Sequence, residues 1–94
     1  MEVHSMLDLK DIAILEYLEE QENSEDIKEK GPHDFGLLGN EELRSRLNKL
    51  INEGYVKGSV TVTNTGFISI KHYTIREKGK SKLLNHKLFR KGLY

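Results

Sequence analysis

Apolar residues recur along this chain with two periods, and the change of period separates helices from a hairpin. From Asp8 to about Gln21, Ile14, Leu15 and Leu18 fall on one side of a 3.6-residue helix, with Glu16, Glu19 and Glu20 opposite. Asp8 suits the N-cap, and Asp11 lies in the first turn, where the helix dipole favours an acid. Leu9, Ile12 and Ala13 occupy the far side, so the first half of this helix is apolar nearly all round. A surface helix needs one apolar stripe. The surplus calls for a second partner, another helix of this chain or another subunit. A short helix from Ser24 to about Lys30 follows, anchored by Ile27 and stopped by Gly31-Pro32. Gly31–Gly39 carries the only proline, three glycines, and Phe35, Leu37 and Leu38, the composition of a loop around a buried knot.

The next helix starts near Asn40, read as its N-cap, and runs to about Glu53. Leu43, Leu47, Leu50 and Ile51 make one narrow core face, while Glu41, Ser45, Asn48, Lys49 and Asn52 project outermost, with Arg44 and Arg46 on the flanks. Gly54 stands where a glycine ends a helix. The period then falls to two. Asn64-Thr65-Gly66 reads as a three-residue turn between arms 56–63 and 67–75, placing Val62 opposite Ile68 and Val60 opposite Ile70. In that register Val56, Val60, Val62, Ile68 and Ile70 share one face, and Lys57, Ser59, Thr61, Ser69 and Lys71 the other. A last helix is expected from about Glu77 to Phe89, with Leu84 and Leu88 as its stripe.

Ninety-four residues suit one domain, and the elements make it α+β, mainly α. Apolar residues are 36% and charged residues 32%, lean for a monomer. With no cysteine, disulfides and thiolate metal sites are excluded. The first residues lack the basic and apolar regions of a signal peptide, and no apolar run approaches membrane-spanning length. A cytoplasmic protein is the expectation.

The net charge of zero hides a segregation. Residues 1–34 hold eleven acids and three Lys/Arg, a balance of −8; residues 35–94 hold four acids and twelve Lys/Arg, a balance of +8. Such asymmetry suits either a basic face for a polyanion or attraction between the two halves within the fold. Catalysis finds no support. His4, His33, His72 and His86 lack ligand-like spacing, and no phosphate-cradling glycine loop or nucleophile elbow is present. His72 falls opposite Gly58 on the inner hairpin face. No enzyme activity, metal or cofactor is expected.

Three segments carry a resemblance. Asp8–Leu18, Leu47-Asn48-Lys49-Leu50-Ile51-Asn52-Glu53-Gly54-Tyr55-Val56, and Tyr73-Thr74-Ile75-Arg76-Glu77-Lys78-Gly79 resemble the first helix, the recognition helix with wing entry, and the wing return of winged helix–turn–helix regulators of the MarR and PadR type. The resemblance implies three helices, a two-stranded wing and a C-terminal helix that bind double-stranded DNA. On that reading Arg44, Ser45, Asn48 and Lys49 enter the major groove. Arg reads guanine edges, Asn reads adenine, and Ser or Lys holds phosphate. Lys57, Asn64, Thr65 and Lys71 then lie along the backbone or the minor groove. The resemblance also implies a homodimer, here through Leu9, Ile12, Leu84, Leu88 and Phe89. The alternative is a winged helix used for protein–protein contact, with the acidic first third as its docking surface.

Overall fold

Asp8 and Asp11 open the first helix as a reciprocal pair. The Asp8 carboxylate accepts the Asp11 N–H at 3.0 Å, and the Asp11 carboxylate accepts the Asp8 N–H at 3.2 Å. This satisfies two amides that the first helical turn leaves without partners. A computed structural model describes residues 7–23, 30–58, 61–62, 66, 68–70 and 73–90, and only the backbone at 61, 62, 89 and 90. Its elements are α1 (Leu9–Asn23), a 3-10 turn (Pro32–Phe35), α2 (Asn40–Asn52), strands β1 (Val56–Lys57), β2 (Thr61–Val62), β3 (Ile68–Ser69) and β4 (Thr74–Ile75), and α3 (Glu77–Arg90). The architecture is α+β and mainly helical. Among the described residues no helix is long and apolar enough to cross a membrane. Residues 24–29 of the helix expected near 24–30 lie outside the described residues, and Lys30 is not helical.

The core is built on α1. Ile14, Leu15 and Leu18 are fully buried, as their stripe requires, and Ile12 and Tyr17 are buried as well. Of the surplus apolar surface of this helix, Ile12 and Ala13 meet the chain itself, as α1 packs on α3, on β4 and on the 3-10 turn, while Leu9 stays exposed. Phe35 and Leu37 form the expected knot, with the Phe35 ring edge-on to Tyr17 at 5.8 Å. Leu38 does not join them and is 90% exposed. In α3 the core residue is Leu83, not Leu84. The adjacent Leu83 and Leu84 offer two rotations of this helix, and contact with α1 selects the one that buries Leu83.

The hairpin keeps the expected register at its tip and loses it at its base. Val62 pairs with Ile68 and Thr61 with Ser69, but Val56 pairs with Ile75 and Lys57 with Thr74. The return arm therefore carries one more residue than the outgoing arm. Tyr73 N–H donates to the Ile70 carbonyl at 3.2 Å. Tyr73, rather than His72, consequently lies against Gly58, where a Cβ would stand 3.0 Å from Tyr73 Cα. Ser69, expected on the open face, is buried. Strand β3 contacts α2, and both of its residues are covered, so open and covered faces do not alternate across it.

Candidate nucleic-acid interface

Helix α2 has one committed face and one open face. Leu43, Leu47 and Leu50 are fully buried. Arg44, Ser45 and Asn48 on the other side are exposed. The helix ends in a Schellman motif: Tyr55 N–H donates to the Leu50 carbonyl at 2.9 Å and Gly54 N–H to that of Ile51 at 3.0 Å, with Gly54 at φ +83°. That turn delivers the chain directly into β1, where Lys57 is exposed beside buried Val56.

Lys49 does not belong to the open face. Its ammonium pairs with the carboxylate of Asp11, which is fully buried. Arg46 completes the cluster, donating to Asp11 at 2.9 Å, to Asp8 at 2.8 Å and to Glu42 at 3.1 Å. Glu42 also accepts the Leu38 N–H at 2.9 Å. Burial alone would raise the Asp8 carboxyl, but the Asp11 backbone N–H and the Arg46 guanidinium together hold it down at about 2. The Leu38 N–H, then Arg46, hold Glu42 below the usual carboxylate range. Two cations face three carboxylates here, a local balance of −1. The cluster fastens α1 to α2; its cations are spent on that task.

The same pattern extends to α3. Lys80 pairs with Glu22 at 3.0 Å and Lys87 with Glu19 at 3.1 Å. Lys78 lies over the Tyr55 ring at 4.7 Å and donates to the Glu53 carbonyl at the end of α2. Much of the charge segregation is thus consumed by attraction between the acidic first third and the basic remainder. Arg44, Lys57, Arg76 and Lys82 are exposed and make no ion pair among the described residues.

Of the residues expected to contact DNA, Arg44, Ser45, Asn48 and Lys57 are open to a partner. Lys49 is tied to Asp11, and Asn64, Thr65 and Lys71 lie outside the described residues. Of those expected at a dimer interface, Leu9 is 72% and Leu84 58% exposed, and Leu88 is partly buried. Ile12 is 4% exposed and serves the core, because α1 is covered by its own chain. The side chain of Phe89 lies outside the described residues. Among the described residues no group of three His, Asp or Glu side chains is arranged as metal ligands.

Two residues matter more than their sequence context suggested. Asp11 reads as a favourable helix-dipole acid, yet Ile12 and Ile14 beside it are buried, and a carboxylate on that side needs cations supplied by another element. Asn40 reads as an N-cap, yet Gly39 holds that position and the Asn40 amide is used elsewhere. No family model, curated protein or solved structure matches the chain.

Proposed function

We propose that this protein binds double-stranded DNA as a winged-helix regulator, with α2 in the major groove and the hairpin as the wing. The observation that carries the reading is the open trio Arg44, Ser45 and Asn48 on a helix whose opposite face is wholly core, followed within a few residues by the hairpin. Arg44 and Asn48 supply base-edge donors and acceptors, and Ser45 a phosphate contact. Lys57, Arg76 and Lys82 add uncommitted positive charge. The organisation proposed is a two-fold homodimer through Leu9, Leu84 and Leu88, which would set two reading helices about 34 Å apart on a palindrome.

A second reading, a protein-binding winged helix, is favoured by one observation. The Asp8–Asp11–Glu42–Arg46–Lys49 cluster ties up two of the three cations of α2 and carries one more acid than base.

Fluorescence anisotropy with mixed-sequence duplex DNA at low salt separates the two. The DNA reading expects affinity to fall with salt on a log–log slope of about −0.9 per phosphate neutralised, so four cations give about −3.6. Arg44→Ala or Asn48→Ala should erode discrimination between sequences, each base contact removed costing about 1–3 kcal/mol. Lys57→Ala should weaken all sequences alike. Absence of binding at low ionic strength rejects the DNA reading and leaves the protein-binding one.

A further inference from the structure

Asn40, the first residue of α2, directs its side-chain amide away from its own helix and onto the hairpin. Its Nδ2 donates to the Gly66 carbonyl at 2.7 Å, and its Oδ1 accepts the Ile68 N–H at 3.0 Å. A carbonyl at one residue and an N–H two residues later face the same side of an extended chain. A primary amide offers one donor and one acceptor with the spacing to meet both, as a neighbouring strand residue would. Asn40 is therefore used as a surrogate strand partner, not as a helix cap. The α2 N-terminus gives up a side-chain cap in exchange: Gly39 stands at that position and makes no such bond.

We infer that Asn40 is a positioning residue that locks the hairpin tip to the start of α2, so that helix and hairpin move as one body. Two further observations point the same way. Gly66 takes φ +88°, a left-handed conformation that L side chains rarely adopt, and its carbonyl accepts the Asn40 amide. The base and tip of the hairpin also belong to separate two-stranded pairs, in registers one residue apart, so base pairing alone does not fix the tip. β3 packs on α2 through the buried Ile68, and the Asn40 amide adds a directional polar restraint to that apolar contact. Its consequence for DNA rests on the function proposed above: a reading helix and a wing contact one duplex together only when their separation is held.

Amide hydrogen exchange on the full chain tests the clamp without DNA. In the parent, the Ile68 amide should be protected; in Asn40→Ala it should exchange at least about tenfold faster, while the Leu15, Leu18 and Leu47 amides keep their rates. Asn40→Asp keeps the acceptor for Ile68 but removes the donor to Gly66, and should fall between parent and Asn40→Ala. That ordering follows from the amide's two roles, not from packing. An Ile68 amide unprotected in the parent, or equally protected in Asn40→Ala, overturns the inference. Should Asn40→Ala fail to fold, the parent and Asn40→Asp rates still decide it. With duplex DNA, Asn40→Ala should lower the salt slope by about one for each phosphate that the wing no longer reaches. If the parent binds no DNA, the proposed function fails while the exchange rates still rule on the clamp.

Discussion

A Cβ added at position 79 would lie 2.5 Å from the Tyr55 carbonyl oxygen and 2.8 Å from Ile75 Cγ1. The Tyr73-x-Ile75-x-x-x-Gly79 spacing thus has a steric basis: α3 begins against the paired strands β1 and β4, and only a bare backbone fits there. Gly79→Ala should destabilise the fold by about 2 kcal/mol, overpacking outweighing the gain in helix propensity of about 1 kcal/mol. Gly66→Ala, which meets open space but keeps a left-handed φ, should cost about 1 kcal/mol. A urea midpoint unchanged in Gly79→Ala would show that α3 does not seat against Tyr55 as described. Asp8 provides a pH-dependent counterpart. Its folded pKa of about 2 lies below the unfolded value near 4, so its contribution is present above about pH 4 and is lost as pH falls toward 2. Solvent screening of this half-exposed side chain limits the contribution to about 1 kcal/mol or less. Stability curves of parent and Asp8→Asn should therefore separate above pH 4 and converge near pH 2.

Between elements, the joint of α1 and α2 centres on a carboxylate that is fully buried, whereas the ion pairs of α1 with α3 are partly exposed. Asp11 is fully buried, whereas the side chains of Arg46 and Lys49 are 17% and 28% exposed. Removing a buried charge partner typically costs about 3–5 kcal/mol, but these cations reach water and recover part of that. Asp11→Asn should cost about 2 kcal/mol in denaturant unfolding. It should also free Lys49 and Arg46 on the α2 side and, under the proposed function, tighten mixed-sequence DNA binding while steepening its salt dependence. Lower DNA affinity in a folded Asp11→Asn would instead mean that the cluster orients α2 for its partner.

For the whole molecule, zero net charge reflects internal pairing between an acidic first third and a basic remainder. The pairs of α1 with α3, Glu22–Lys80 and Glu19–Lys87, are partly exposed, so solvent screens them and each contributes little. They orient the helices more than they stabilise them. Among the described residues, apolar surface left outside the core is concentrated at Leu9, Leu38 and Leu84. If α3 carries the proposed dimer contact, Leu84→Glu should convert a dimer into a folded monomer in sedimentation at micromolar concentration. Equal masses for parent and Leu84→Glu, with both folded, would remove α3 from the interface.

The local pattern was sufficient for the long helices, the start of α1, the end of α2 and the hairpin register beside its turn. Asp8 as cap, Gly54 as terminator, and Val62 opposite Ile68 each follow from forces acting within a few residues. The opposition of buried Leu43 and Leu47 to exposed Arg44, Ser45 and Asn48 also follows from helical period alone. What lay beyond the sequence depended on partners distant along the chain. Leu83 rather than Leu84 faces the core because α1 sets the rotation of α3. Lys49 leaves the open face because Asp11, thirty-eight residues earlier, is buried beside it. Asn40 ceases to be a cap because Gly66 and Ile68 come within its reach. In each case a side chain had two acceptable local uses, and the tertiary contact satisfied a buried group that the local choice would have left unpaired or exposed.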